Sequence, residues 1–220
     1  MALQAVFFDL DGTLLDTAAD LGAALNAVLL EEGRNTIALD KIRSVASNGA
    51  PGVLKLGFNI TQEDDDFERL KARFLDCYLA DIAAHTTFFP GIESLLERLA
   101  DNGIQWGIAT NKPQLYTEAL LKHFSFSWAP SCVLSPDHVR VRKPDPEILH
   151  LACAQTNCHV SQAIYIGDHV RDIECGKNAG MRTIAALWGY LGENEDPEHW
   201  RADFNAGSPQ QVWSILEKLK

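Results

Sequence analysis

The chain has 220 residues, of which 46% are hydrophobic and 22% charged, a composition that is typical of a folded protein and excludes a disordered one. Its 30 acidic and 19 basic residues leave a net charge of −11, which disfavours a nucleic-acid-binding protein because such proteins need clustered Lys and Arg. We expect no membrane association, because no stretch approaches the about 20 apolar residues that span a bilayer.

The beginning of the chain and its cysteines indicate a cellular location. The first residues lack the basic segment that opens a secretory signal peptide, so we expect none. The five cysteines are an odd number and include no Cys-x-x-Cys pair, which favours reduced thiols over disulfides. We therefore expect a cytoplasmic protein.

Five short apolar runs predict β-strands, at residues 5–8, 104–109, 131–134, 163–166 and 183–187. They are apolar throughout rather than alternating, which is typical of strands buried on both faces. Helical periodicity lies between or after them, at residues 92–99, 115–120, 148–152 and 216–219. This alternation predicts an α/β fold with a doubly wound, Rossmann-like parallel sheet.

Residues 18–85 break the alternation, because they show helical patterns at 21–29 and 67–82 and no clear strand. We expect a helical insert after the first strand, with Pro90 and Gly91 returning the chain to the sheet. The predicted domains are an α/β core of residues 1–15 and 88–220 and a helical cap of residues 16–87. Within the cap, the acidic run 63–66 predicts a helix N-terminus opened by Thr61.

Two carboxylates follow the first strand directly. Asp9 and Asp11 are two residues apart, so on an extended chain they point to the same side, at the strand end where open α/β sheets bind ligands. Such a pair needs a cation or a shared proton, which suits Mg²⁺ or a nucleophile beside an acid/base. Gly12 permits a sharp turn beside a ligand. The alternative is a strand end whose acids are only solvated. A calcium-binding EF-hand loop is excluded, because Leu14 occupies the position at which that loop needs glycine.

Three further groups of polar residues follow later predicted strands or a rigid turn. Thr110 and Asn111 could hold phosphoryl oxygens or cap a helix. Asp168 brings a third carboxylate to the same edge of the sheet, and Asp172 follows one helical turn later. Lys143, next to a proline-rich turn, could grip a phosphate or lie on the surface. The combination of these groups at strand ends predicts a phosphate site with a metal ion.

The four groups together resemble the motifs of the haloacid dehalogenase superfamily, in its phosphatase branch with a helical cap after the first strand. The similarity covers essentially the whole chain. Residues 9–13 resemble the first motif, 110–111 the second, 143–144 the third, and Gly167, Asp168 and Asp172 the fourth.

Two subfamilies share further residues with this chain. Residues 14–17, 42–50 and 143–146 resemble phosphoglycolate phosphatase-like proteins. Residues 136–139, 189–190 and 199–203 resemble the N-acetylmuramic acid 6-phosphate phosphatases of cell-wall recycling. Both subfamilies imply that the substrate is a small phosphomonoester, either a phosphorylated acid or a phosphorylated sugar. We expect the protein to be a monomer or a homodimer.

The resemblance also implies a role for each motif residue. Asp9 would attack phosphorus and form an aspartyl-phosphate, and Asp11 would act first as acid and then as base. Mg²⁺ would be held by the Asp9 carboxylate, the Asp11 backbone carbonyl and Asp168, with Asp172 orienting a metal-bound water or Lys143. The implied phosphate-binding groups are Gly12, Thr110, Asn111 and Lys143.

The cap offers candidates for substrate selection. Residues 47–52 form a polar, glycine-rich stretch that resembles the specificity loop of the family, and Asn48 and Gly49 are its candidate contacts with the leaving group. A plain turn between helices is the alternative. Arg43 could bind a substrate carboxylate or form a surface ion pair.

The residues leave two other functions open. A phospho-acceptor signalling module uses similar groups, but it would have about half this length and adjacent acids. A phosphohexose mutase would share the fold and need a bisphosphate activator. A dehalogenase is disfavoured by Asp11, since that branch does not need a second acid.

Overall fold

The computed structural model describes residues 2–192 and 195–219, so both ends of the predicted core, residues 1 and 220, lie outside it. The strands of the described chain are β1 (Ala5–Phe8), β2 (Leu15–Asp16), β3 (Thr87–Phe88), β4 (Gln105–Ala109), β5 (Val133–Leu134), β6 (Ala163–Gly167), β7 (Arg182–Ala186) and β8 (Phe204–Ala206). Its α-helices are α1 (Ala18–Glu31), α2 (Leu39–Arg43), α3 (Gly49–Phe58), α4 (Phe67–Ala80), α5 (Ile92–Asp101), α6 (Gln114–Leu121), α7 (Glu147–Thr156), α8 (Val170–Asn178) and α9 (Pro209–Glu217).

A six-stranded parallel sheet forms the centre of the molecule, in the order β5-β4-β1-β6-β7-β8. All four residues of β1 are buried, because the strand has a neighbour on each side and helices on both faces. Phe8 pairs with Ile108 on one side and Ile166 on the other. The segments that follow β1, β4 and β6 therefore begin at the same edge of the sheet, and this register places their polar residues together.

The predicted α/β fold with its parallel sheet is confirmed, and each of the five predicted strands overlaps an observed one. Three short strands were not predicted: β2, β3 and β8. They have two or three residues each, and β8 includes a polar, exposed Asn205, so none of them shows an apolar run. The predicted helix at 92–99 is α5, which buries Ile92, Leu95, Leu96 and Leu99 and leaves its charged residues outside.

The helical insert packs mainly through α1 against α4, and the antiparallel pair β2–β3 lies where the chain leaves and re-enters the sheet region. The predicted domain boundaries fall at these two strands; the division into two domains itself stays a prediction. For brevity we call the insert, residues 16–87, the lid.

Two predictions of local structure in the lid are wrong. Residues 49–52 are not a loop but the first residues of α3, which is stabilised by burying Val53, Leu54 and Phe58. Thr61 does not open a helix: its backbone N–H and hydroxyl both donate to Asp64 Oδ2, and α4 begins only at Phe67. The helical pattern predicted at residues 67–82 is confirmed by α4, which ends two residues earlier at Ala80. Among the helices described, none has the length and apolar character needed to cross a bilayer.

Candidate active site

The carboxyl edge of the sheet forms the floor of a cavity of about 750 Å³, and the lid forms its opposite wall. The lining includes seven of the predicted site residues: Asp9, Asp11, Thr110, Asn111 and Lys143 on the sheet side, and Asn48 and Gly49 in the lid. Residues that are distant in sequence thus share one chamber, as the strand-end argument requires.

Asp9 is buried directly after β1 and is held in a fixed orientation. Its Oδ1 accepts a hydrogen bond from the Leu10 N–H at 2.7 Å and lies 3.0 Å from Lys143 Nζ. Burial by itself would raise the pKa of Asp9, but the cationic Lys143 and Arg171 outweigh it and keep that pKa below the ordinary value. Asp9 is therefore ionised and fixed at the base of the cavity, as a nucleophile must be.

Lys143 lies at the centre of the buried charges. Its ammonium group donates to Asp172 Oδ1 at 2.7 Å, to the Tyr165 hydroxyl at 2.7 Å and to the Ala109 carbonyl at 3.1 Å. The side chain is completely buried, which excludes the surface-lysine alternative. Burial would lower the pKa of Lys143, but Asp172 and Asp9 raise it above its ordinary value, so the amine stays charged.

Asn111 makes a contact that was not predicted. Its side-chain amide donates to the Lys143 carbonyl at 3.1 Å, and its oxygen accepts the Lys143 N–H at 3.0 Å. Both ends of the amide are bound to backbone, so the side chain clamps Lys143. Asn111 also lines the cavity, and its contact with a phosphate stays a prediction. Thr110 is buried at the end of β4, and its Oγ1 accepts the Lys112 N–H at 3.2 Å.

Asp168 is fully buried and is contacted from three directions. Its Oδ1 accepts from the Thr13 hydroxyl at 3.0 Å, and its Oδ2 accepts from the Ser47 hydroxyl and the Tyr190 N–H, both at 2.9 Å. Burial, together with Asp172 and Asp9, raises the pKa of Asp168 to about 8. The three carboxylates Asp9, Asp168 and Asp172 thus outnumber the two neighbouring cations, Lys143 and Arg171, and the cluster is short of positive charge.

Two glycines allow the close packing around Asp168. Gly12 has φ +79°, and a Cβ there would lie 2.1 Å from Asp168 Oδ2. A Cβ at Gly189 would lie 2.2 Å from the Asp168 Cβ and 2.4 Å from the Gly12 carbonyl oxygen. Any larger residue at either position would displace this carboxylate. The predicted role of Gly12 in forming a turn fits this geometry; its contact with substrate stays a prediction.

The carboxylates of Asp9, Asp168 and Asp172 place ligand oxygens within 4.8 Å of one another. Hard oxygen donors of this kind suit a small divalent cation, and the shortage of positive charge described above favours one. The side chain of Asp11 is not part of this cluster. Asp172 bonds Lys143 and also accepts the His169 N–H at 3.2 Å, so it supports the lysine, as one of its two predicted roles requires.

Asp11 instead faces a second lysine that carries no predicted role. Lys112 Nζ lies 3.0 Å from Asp11 Oδ1, and the Thr17 hydroxyl donates to the same oxygen at 2.6 Å. Lysines ordinarily lie on the surface, so the sequence alone did not predict a role for Lys112. The only available signal was its position directly after Thr110 and Asn111.

The lid contributes Ser47, rather than its neighbour Asn48, to the carboxylate cluster. Besides the bond from Ser47 to Asp168, the Arg171 guanidinium donates to the Ser47 carbonyl. Asn48 and Gly49 line the cavity, and their contacts with a leaving group stay predictions. Arg43 forms a two-pronged ion pair with Asp16 at 2.9 Å and does not line the cavity.

The comparisons with known proteins agree with this geometry. Residues 6–186 match the family of haloacid dehalogenase-like hydrolases. The chain is 38% identical to the N-acetylmuramic acid 6-phosphate phosphatase of Pseudomonas putida, covering 99% of this chain and 97% of that protein. It is also 38% identical to a phosphoglycolate phosphatase of Xanthomonas campestris pv. campestris, covering 96% and 95%.

A solved structure has the same fold. The crystal structure of a predicted phosphoglycolate phosphatase from Haemophilus somnus superposes with a TM-score of 0.85, covering 97% of each chain at 21% identity. At that identity the likeness concerns the fold alone.

Proposed function

Because the chain belongs to the haloacid dehalogenase-like hydrolase family, we propose that it hydrolyses small phosphomonoesters through a phosphorylated Asp9. The observation that carries the proposal is the Asp9 carboxylate, held by Leu10 and Lys143 on the floor of a cavity that also exposes Asp11 and Thr110. These are the groups that a two-step phosphoryl transfer needs: a nucleophile, an acid/base and donors for the phosphoryl oxygens.

In the first step, Asp9 attacks phosphorus, the bond from phosphorus to the leaving oxygen breaks, and Asp11 gives its proton to that oxygen. In the second step, Asp11 takes a proton from a water molecule, which attacks phosphorus and releases Asp9 and inorganic phosphate. Lys143 exchanges one of its three protein hydrogen bonds for a phosphoryl oxygen, and the Thr110 hydroxyl donates to another. The lid excludes other water.

We assign Mg²⁺ as the cofactor on the chemistry of the donors. The Asp9 carboxylate, the Asp11 backbone carbonyl and Asp168 would hold it, and Asp172 would keep Lys143 beside them. When bound, the ion offsets the negative charge of the phosphoryl group and the carboxylates.

For the substrate we propose a phosphorylated sugar acid of the N-acetylmuramic acid 6-phosphate type. The cavity of about 750 Å³ falls in the range of about 300–1,000 Å³ that suits ligands of drug size. Its lining on the lid side includes Lys55, which suits a carboxylate, and the apolar Phe74, which suits a bulky ring; Lys71 also lines it but is paired with Glu68 at 3.2 Å. A relative named for that substrate aligns over almost the whole chain. Phosphoglycolate is the second candidate, favoured by an equally identical relative.

The test is the release of inorganic phosphate by the purified protein with Mg²⁺. We expect turnover of a generic aryl phosphate, its loss with EDTA, and a higher kcat/KM for N-acetylmuramic acid 6-phosphate than for phosphoglycolate. Stoichiometric phosphorylation of the protein without release of phosphate would indicate a phospho-acceptor module. Conversion of one sugar phosphate isomer into another would indicate a mutase. A preference for phosphoglycolate would reverse the substrate assignment while leaving the reaction in place.

A further inference from the structure

Lys112 joins the predicted acid/base to the lid. Its Nζ lies 3.0 Å and 3.3 Å from the two oxygens of Asp11 and donates to the Tyr78 hydroxyl at 2.8 Å. The side chain is only 8% exposed, so these contacts are made away from bulk water. A lysine that gives up this much hydration is expected to have specific partners.

Asp11 is held from both sides. Thr17, the residue before α1, donates its hydroxyl to Asp11 Oδ1 at 2.6 Å, and Lys112, which follows β4, contacts both carboxylate oxygens. Two directional contacts restrict the rotation of a short side chain. The carboxylate is therefore fixed at the cavity wall, next to the place where a leaving group would lie.

Tyr78 belongs to α4 of the lid, and its ring is held in place. It stacks on Phe74 with centroids 6.4 Å apart and contacts Tyr116 of α6 at 6.2 Å. The Lys112 ammonium also lies 4.7 Å from the centre of the Tyr78 ring. Lys112 thus has one partner in the core and one in the lid, and the second contact exists only when α4 lies against the core.

We propose that Lys112 is a positioning residue for Asp11, and that Tyr78 completes this alignment when the lid is packed on the core. The inference rests on the proposed function, because it assigns the alignment to the proton donor of that reaction. Lid closure and alignment of the acid are then one event. A substrate that holds the lid closed also secures its own proton donor.

Leaving-group dependence separates this role from a structural one. A nitrophenolate leaves without help, whereas phenol or an alkyl alcohol needs a proton from Asp11. Misalignment of Asp11 therefore slows substrates with poor leaving groups and spares those with good ones. A lysine that merely stabilised the fold would slow all substrates by the same factor.

The experiment measures kcat/KM with saturating Mg²⁺ for a series from nitrophenyl phosphates through phenyl phosphate to an alkyl phosphate. For Lys112→Met we expect a loss of about 10²-fold with the alkyl phosphate, the cost typical of a misplaced catalytic group. We expect a loss below about 3-fold with the best nitrophenyl leaving group, which needs little general acid catalysis. Tyr78→Phe, which removes one oxygen atom, should show the same trend with a smaller amplitude.

The matched control is Lys122→Met, which changes an exposed lysine after the end of α6 and should behave like the wild type. Equal losses across the series, or none, would overturn the inference while the proposed function stands. A wild-type protein that releases no phosphate from any ester would overturn both. If Lys112→Met does not fold, Tyr78→Phe alone tests the proposal. Equal kcat/KM losses of Tyr78→Phe for all leaving groups would then contradict it.

Discussion

Two lysine–carboxylate pairs lie on the floor of one cavity, and their surroundings differ. Lys143 is completely buried and finds Asp9, Asp172 and Tyr165 within the core. Lys112 and Asp11 are 8% and 17% exposed, and the third partner, Tyr78, comes from the lid. The first pair therefore forms with the sheet itself, whereas the second is complete only when the lid is in place.

The difference divides the floor of the cavity into two sides. We call Lys143 and Asp9 the constant side, because the core alone holds them. We call Lys112 and Asp11 the variable side, because their third partner belongs to the lid. Burying an ion pair is unfavourable unless several hydrogen bonds satisfy it, and Lys143 has those bonds within the core. Asp9, the proposed nucleophile, is consequently in place before substrate binds. Asp11, the proposed acid/base, depends for its last support on a residue of the lid, so the packing of the lid can influence it.

The largest effect is expected on the constant side, from Asp9→Asn. Without a carboxylate nucleophile the covalent route disappears, so we expect turnover to fall by at least about 10⁴-fold, as is typical when a nucleophile is removed. Phosphate release at saturating Mg²⁺ is the measurement, with circular dichroism to verify folding. Asp65→Asn, an exposed lid residue, is the control and should retain wild-type turnover. Undiminished turnover of Asp9→Asn would refute the nucleophile assignment.

Removal of each lysine compares the two pairs directly. Lys143→Met leaves Asp9 and Asp172 buried without their cation, so we expect a loss of about 3–5 kcal/mol in unfolding free energy in the absence of metal. Its kcat should fall by about 10²–10³-fold, the usual cost of one lost oxyanion donor.

Lys112→Met should be milder in stability, about 1–3 kcal/mol, because Asp11 keeps Thr17 and some solvent contact. Urea unfolding with EDTA present measures both variants under the same conditions. Equal losses for the two lysines would show that the lid shields the second pair as fully as the core shields the first.

Asn111→Ala examines what supports the constant pair. The amide makes two hydrogen bonds to the backbone of Lys143, so its loss should loosen the lysine and lower kcat by about 10-fold with little change in KM. Steady-state kinetics on one aryl phosphate give both constants. A raised KM with unchanged kcat would instead indicate that the amide touches substrate, as the sequence motif implied.

Much of the constant side could be predicted from the sequence. Apolar runs identify β1, β4 and β6 because these strands are buried on both faces. The carboxyl ends of parallel strands share one edge, so Asp9, Thr110 and Asp168 must lie near one another once the sheet is recognised. Lys143 was predicted from its motif, and its burial follows from the acids beside it.

The variable side could not be predicted, because its contacts depend on how the lid packs. Tyr78 shares a helical pattern with Phe74, which marks a buried face but not a hydroxyl aimed at Lys112. The helix α3 begins with Gly49 and contains Pro51, residues that favour turns; burial of Val53 and Phe58 outweighs that local preference. Tertiary packing, not local sequence, decides both features.

The smallest effect is expected at the edge of the lid, from Arg43→Ala. Arg43 pairs with Asp16 through two contacts of 2.9 Å and lies over the Tyr190 ring at 5.5 Å, but it is 36% exposed. Exposed ion pairs contribute about 0.2–1 kcal/mol, and we expect a loss of that size in urea unfolding. Because Asp16 already occupies the guanidinium, kcat/KM should stay the same for substrates with and without a carboxylate. A rise in KM confined to carboxylate-bearing substrates would mean that Arg43 exchanges Asp16 for the substrate, and the variable side would then extend to β2.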